Sequence, residues 1–397
     1  MNRVVVGLQW GDEGKGKVVT YLSRYHDIVV RYSGGANAGH TVNYGTFKVV
    51  HHLLPSADFT KNVGVAIGNG VLLDPQVFTK ELIELKERFP EYSGDIFISE
   101  NAHVVLPVHK EVDQRVDEVL KIGTTKRGIG PACADRVMRA NVRITELYDE
   151  KKARTLLEKN LSLKSLYNLT FDVEKILDDL LNFYNVIKDF VVSSIQMKRI
   201  LEEKSVLFEG TQGVLLDLDV GTYPYVTSMN CSSSGVSAGI GFPVKIDETI
   251  GVFKAYTTRV GEGPFPTELF GEEGEALRRA GHEYGSTTGR PRRCGWLDLP
   301  LLNYAIEIAG VDTLVMTKAD VMNGFDKVKV CVRYKDGKEL LSLKDLEKKE
   351  PVYETFNGWK SLESKEFDRF VNFIERETGR PIKYISTGEK IEDIVEV

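Results

Sequence analysis

The chain reads as an α/β protein built on a large, mainly parallel central sheet flanked by helices. Apolar, β-branched runs alternate with amphipathic helical stretches along most of its length. Several of those runs break at their C-terminal ends into Gly-rich loops, the place where doubly wound sheets bind ligands. With 397 residues, 42% hydrophobic and 28% charged, the chain has the composition of an ordinary soluble globular protein, in one large domain or two.

Composition also excludes. A net charge of −6 argues against a general binder of nucleic acid or anionic membrane. No apolar run approaches the ~18–20 residues that span a bilayer. Met1-Asn2-Arg3 leads straight into a strand, without a secretory leader, so a cytoplasmic location is expected. The cysteines, Cys133, Cys231, Cys294 and Cys331, are far apart and have no local zinc spacing.

The first strand is Val4-Val5-Val6, ending in Gly7-Leu8-Gln9-Trp10-Gly11-Asp12-Glu13-Gly14-Lys15-Gly16-Lys17. Gly11, four residues, Gly16 and Lys17 match the P-loop spacing, in which backbone amides, a helix N-terminus and a lysine meet a phosphate. The template's Ser or Thr, a Mg²⁺ ligand, is replaced by Val18, so either the metal is absent or another side chain holds it, and the loop itself offers Asp12 and Glu13. Ile28 to Tyr32 is a second buried strand, breaking into a Gly-rich loop that ends at His40-Thr41. Residues 46–54 and 63–67 add short strands. Phe78, Leu82, Leu85 and Phe89 have helical spacing, Ile96-Phe97-Ile98 is a strand, and Val108, Val112, Val116 and Leu120 line one helix face.

Gly123-Thr124-Thr125-Lys126-Arg127-Gly128-Ile129-Gly130-Pro131 is too Gly-rich for a helix and gathers hydroxyls, bases and free amides that suit an anion. From about Ile144 to Lys204 the chain turns charged and helical and shows no chemistry. Val206 to Glu209 and Ile250 to Tyr256 read as strands, and Ser232-Ser233-Ser234-Gly235 as a helix entry. Gly285 to Arg293 concentrates Arg290, Arg292 and Arg293 beside Thr287 and Thr288, a carboxylate- or phosphate-binding patch in an acidic protein. Asp312 to Met316 is a strand ending in Thr317-Lys318-Ala319-Asp320, the Lys-x-Asp arrangement by which GTPases read guanine. Ile382 to Ile385 ends in Ser386-Thr387-Gly388.

Together these motifs resemble the adenylosuccinate synthetase family. The resemblance rests on residues 9–17, Asn37-Ala38-Gly39-His40-Thr41, Gly123-Thr124-Thr125 with Gly128 to Pro131, Gly221-Thr222-Tyr223-Pro224-Tyr225-Val226-Thr227-Ser228, and Thr287-Thr288-Gly289-Arg290. It spans residue 4 to about 390 and implies one α/β domain over 1–397, related to P-loop GTPases, with a helical subregion at about 144–204. It implies GTP- and Mg²⁺-dependent ligation of IMP to L-aspartate through a 6-phosphoryl-IMP intermediate, in a homodimer.

The same resemblance implies roles. Asp12 would be the base and His40 the acid, with Lys15 and Gln212 also catalytic. Gly11, Glu13, Gly14, Gly16, Lys17, Gly39, Thr41 and Arg292 would hold GTP, with Lys318, Asp320, Ser386, Thr387 and Gly388 around guanine. IMP would meet Asp12, Asn37, Ala38, Thr125, Gln212, Thr227, Val260 and Arg290, and Arg139 from the partner subunit. Thr287, Thr288, Gly289 and Arg290 would take aspartate; Asp12 and the Gly39 carbonyl would take Mg²⁺. Lys126, Thr211 and Met229 depart from the family pattern, the last two being larger than expected. The alternatives are a GTP-binding switch, which would hydrolyse nucleotide without IMP, and a P-loop small-molecule kinase, which would not consume aspartate.

Overall fold

The computed structural model describes residues 1–285, 289, 291–337 and 339–397. Its centre is a ten-stranded sheet. In chain order the strands are β1 (Asn2–Gly7), β2 (Ile28–Arg31), β3 (Gly64–Ile67), β4 (Ile96–Ser99), β5 (Val191–Val192), β6 (Val206–Glu209), β7 (Glu248–Lys254), β8 (Thr313–Thr317), β9 (Ile382–Ser386) and β10 (Ile394–Glu396). Their order across the sheet is β10-β9-β8-β7-β1-β6-β2-β3-β4-β5. Every neighbouring pair is parallel except β9 with β10.

β1 lies between β6 and β7, so both of its edges are paired, and Val4, Val5 and Val6 are fully buried against the elements on its two faces. Alternation along the strand divides them: Val4 and Val6 enter one hydrophobic cluster and Val5 the other. Because the strands run parallel, the C-terminal ends of β1, β2, β6, β8 and β9 open on one edge. The loops that begin at residues 8, 32, 210, 318 and 387 follow those ends and are carried to that edge.

The helices are α1 (Lys15–Ser23), α2 (Pro75–Arg88), α3 (Pro107–Leu120), α4 (Ile129–Met138), α5 (Glu150–Lys164) and α6 (Val173–Ile187), with five more beyond. Asp74 caps α2 by accepting from the amides of Gln76 and Val77, with Pro75 in the first turn. α4 corrects the sequence reading, which excluded a helix from 123–131. Gly128 takes the left-handed conformation (φ 78°), the helix starts at Ile129, and Pro131 falls in the first turn, where its missing N–H costs nothing. His40 and Thr41 are likewise strand, His40–Asn43, paired antiparallel with Lys48–His51.

The 144–204 stretch packs Leu157, Ile176, Leu177, Leu180, Phe183 and Ile187 into the cluster that holds Val5, and supplies the edge strand β5. A separate three-stranded sheet, Leu297–Asp298, Lys327–Tyr334 and Pro351–Asn357, lies outside the elements read from sequence. All four cysteines are free. Among the described residues no helix is long and apolar enough to cross a membrane.

Candidate active site

The loop after β1 turns on three left-handed residues, Gly11 (φ 84°), Asp12 (60°) and Gly14 (86°). Gly14 caps α1 without a side-chain bond, so the first-turn amides face outward, as anion binding needs. Glu13 points the other way. Its buried carboxylate accepts from the amides of Gln9 (3.1 Å) and Gly11 (2.9 Å) and pairs with Lys15 Nζ at 2.7 Å. The Glu13 side chain therefore staples the loop, and Asp12 is the loop carboxylate that lines the cleft. Asp12 forms an ion pair with Arg292 (Oδ2 to Nε, 2.6 Å), and Arg292 also bonds Glu283 at 2.7 Å.

His40 sits against the loop: a Cβ on Gly16 would approach the His40 Cβ to 2.7 Å. Its Nδ1 meets Glu209 Oε1 at 2.5 Å and Ser56 Oγ at 3.1 Å, which turns Nε2 to the cleft. Glu209 ends β6 and is fully buried; burial opposes its charge, yet His40, Arg31 and Ser56 hold it down at about 2. Arg31, also fully buried, ends β2 and donates to the carbonyls of His52 and Gly35, shaping the loop that precedes His40.

Asp12, Lys15, His40 and Arg292 line a cavity of about 440 Å³ with Asn37, Ala38, Gly39, Thr41, Thr125, Gln212, Thr227 and Val260. Nε2 of Gln212 and Oδ1 of Asn37 are buried there without a hydrogen-bond partner. The far wall is fixed by Arg259, which donates to Thr222 Oγ1 and to the carbonyls of Tyr225, Glu262 and Pro264 and lies over Trp10 at 4.7 Å. A wider depression of about 940 Å³ lies behind Gly221 to Tyr225 and includes none of the catalytic candidates.

Lys318, Asp320 and Ser386 to Gly388 lie outside that cavity, at the ends of β8 and β9 on the other side of α1. Lys17 joins the two regions, donating to Ser386 Oγ (2.9 Å) and the Gly388 carbonyl (2.8 Å). Burial lowers its pKa to about 8, against the charges of Asp393 and Asp320. Lys318 donates to the Gly281 carbonyl, and Asp320 Oδ1 is buried without a partner. Burial raises the Asp320 pKa. Arg139 is exposed and away from the cleft. Thr287, Thr288 and Arg290 lie outside the described residues; Gly289 is exposed, in a left-handed turn (φ 66°).

The family model for adenylosuccinate synthetase matches residues 4–395. The chain belongs to the adenylosuccinate synthetase family. It is 82% identical over 397 residues to the adenylosuccinate synthetase of Thermotoga maritima, covering all of both chains. The Aquifex aeolicus enzyme is 46% identical over 416 residues, covering 99% of this chain and 96% of that one. The structure of the fully ligated Plasmodium falciparum adenylosuccinate synthetase superposes with a TM-score of 0.93 at 36% identity, covering 100% and 99%. The chain is thus a ligase of purine biosynthesis that joins IMP to aspartate at the expense of GTP.

Within the family frame, two departures meet at one point. Thr211 Oγ1 bonds Ser33 Oγ at 3.1 Å, and Met229 Sδ accepts from the Gly34 amide at 2.9 Å. These two side chains therefore hold the start of the loop that leads to His40. Sequence reasoning missed Glu209, Arg31, Arg259 and Glu283. A buried acid or base at the end of an apolar strand was the available signal for the first two.

Proposed function

We propose that ligation runs in two steps, with these residues carrying them. Asp12 takes the N1 proton of IMP while O6 attacks the γ-phosphorus of GTP; the O6–P bond forms, the bridging P–O bond breaks and GDP leaves. The amino group of aspartate then adds at C6, the C6–O6 bond breaks, phosphate departs with O6, and the nitrogen releases one proton to solvent. Carboxylates are weak bases against a lactam N–H, so the first step needs phosphoryl transfer to drain charge from O6 as it forms. His40, oriented by Glu209, acts as the acid at the phosphoryl group, and Lys15 and the amides of α1 meet the negative charge.

Asn37, Ala38, Thr125, Gln212, Thr227 and Val260 would hold IMP. Lys17, Arg292 and the loop amides would hold the nucleotide, with Lys318, Asp320, Ser386, Thr387 and Gly388 at guanine. Thr287 to Arg290 would take aspartate. Hard-oxygen donors fit Mg²⁺: it commonly takes one or two carboxylates plus substrate phosphates, and both Asp12 and Gly39 line the cleft. Glu13 is committed elsewhere, and no group of three or more His, Cys, Asp or Glu side chains able to hold a metal ion occurs among the described residues. Bound there, Mg²⁺ would offset phosphate charge.

The protein would work as a single α/β unit in a cytoplasmic homodimer. Exposed Val119, Leu120, Val137 and Met138, beside the unpartnered Arg139, support an interface in which Arg139 reaches the neighbour's IMP. The observation that carries the reading is the pairing of His40 with buried Glu209 beside a phosphate loop whose cleft-lining carboxylate is Asp12. Incubation with IMP, GTP, Mg²⁺ and aspartate, omitting each in turn while following purine absorbance, tests it. Absorbance change is expected only in the complete mixture. Turnover without aspartate would indicate a kinase, and GTP hydrolysis without IMP a switch protein.

A further inference from the structure

The 144–204 stretch carries no motif, yet it reaches the base of the helix that presents Arg139. Asp135, on α4, is fully buried. Its Oδ2 accepts from His109 Nε2 (2.9 Å) and Asn160 Nδ2 (2.6 Å), and its Oδ1 pairs with Lys164 Nζ. His109 Nδ1 accepts from the Leu106 amide, which leaves the ring proton on Nε2 for Asp135. Asn160 and Lys164 belong to α5; His109 belongs to α3. Three helices therefore meet on one carboxylate.

The consequence lies at the end of α4. Arg139 is left-handed (φ 62°), a conformation that non-glycine residues keep only when neighbours enforce it. The Ala140 amide donates to the Asp135 carbonyl (2.8 Å), and Asn160 Nδ2, already on Asp135, also donates to the Ala140 carbonyl (3.0 Å). One amide group thus spans the residues on either side of Arg139. The guanidinium itself is exposed, with no hydrogen bond or ion pair to a described residue. Packing alone does not require this arrangement: Asn160 Oδ1 is buried without a partner, and apolar side chains would fill the same space at no such cost.

We infer that Asn160 and Lys164 are positioning residues, which hold Arg139 in the pose that serves the IMP of the neighbouring subunit. The inference rests on the reading that Arg139 acts in trans, and it gives the helical stretch a role at a site it does not touch.

Asn160→Leu keeps the volume and removes both donations. In the variant homodimer KM for IMP is expected to rise roughly tenfold, with kcat and KM for GTP and aspartate little changed. The variant is then mixed with an excess of Asp12→Asn chains. In such a heterodimer the live site has the intact Asp12 of the Asn160→Leu chain and takes Arg139 from the Asp12→Asn chain, whose Asn160 is intact. KM for IMP is expected to return to the wild-type value, which a merely structural defect of the Asn160→Leu chain, still present around the live site, would prevent. An unchanged KM in the homodimer, or a raised KM persisting in the heterodimer, overturns the inference. Arg139→Leu mixed with Asp12→Asn is the parallel arm. Failure to recover activity there despite subunit exchange removes the trans role itself, and this inference with it. If Asn160→Leu does not fold, Lys164→Met, which keeps the amide, carries the same two readouts.

Discussion

The groups proposed to do chemistry and the groups proposed to read ligands are held in opposite states. The first are already paired: Lys15 with Glu13, His40 with Glu209, and Asp12 with Arg292. The second are bare: Asn37 Oδ1, Gln212 Nε2 and Asp320 Oδ1 are buried without partners. A buried charge cannot wait for a ligand, because its desolvation is too costly unless a counter-charge is built in. A single polar atom can wait. Leaving it unpaired costs roughly 1–3 kcal/mol, which a matching ligand recovers and a mismatched one does not, and that difference is specificity.

The largest test of the comparison is at the paired end. Asp12→Asn keeps the shape and loses the base, and His40→Asn loses the acid, so each is expected to lower kcat by ~10²–10⁴. Affinity for GTP and IMP, measured by calorimetry, should change little if recognition lies with the other groups proposed. Near-normal kcat in Asp12→Asn would sink the mechanism. A collapse of IMP affinity would erase the distinction between the two classes.

The bare end is tested by Asp320→Asn. The native carboxylate would accept from N1–H and the 2-amino group of guanine, and its Oδ1, buried without a partner, would take one of these bonds. The amide turns one acceptor into a donor that faces the 2-amino group. With each unpaired group costing roughly 1–3 kcal/mol, kcat/KM for GTP should fall by about tenfold to over a hundredfold. XTP carries an oxygen there and should regain a matched pair. An XTP/GTP ratio equal to that of the wild type would remove Asp320 from the base site.

The strand ends and their loops were legible in sequence because each is local: an apolar run, then glycines and a polar residue within a dozen positions. What was not legible depends on distant partners. Asp12 and Glu13 are adjacent and read alike, and only the fold shows that Glu13 turns inward to Gln9, Gly11 and Lys15. Glu209 looked like the last residue of an ordinary strand, because its partner His40 is 169 residues away. The start of α4 was hidden by Gly128, Gly130 and Pro131, which read as loop-formers until one sees Gly128 in the left-handed cap. Asn160 and Lys164 read as solvated helix polar residues, and their role depends on Asp135, 25 and 29 residues away.

The smallest effect expected is on stability, and it separates the two classes by pH. Glu209 has its pKa depressed from the ordinary 4.5 to about 2, although burial alone would raise it, by His40, Arg31 and Ser56. A group depressed on folding contributes stability above its unfolded pKa and loses it as pH falls through the folded value. Its contribution is therefore complete above about pH 4.5 and gone near pH 2. Glu209→Gln should lower the thermal midpoint at neutral pH, and the gap from wild type should close as pH drops below about 4.5. Glu283, also held at about 2, titrates in both proteins and cancels in that difference. Asn37→Leu, which removes a bare group and no charge, should show a gap independent of pH. A Glu209→Gln gap that stays constant into acid would mean that Glu209 is not held charged by His40, and the paired half of the comparison would lose its physical basis.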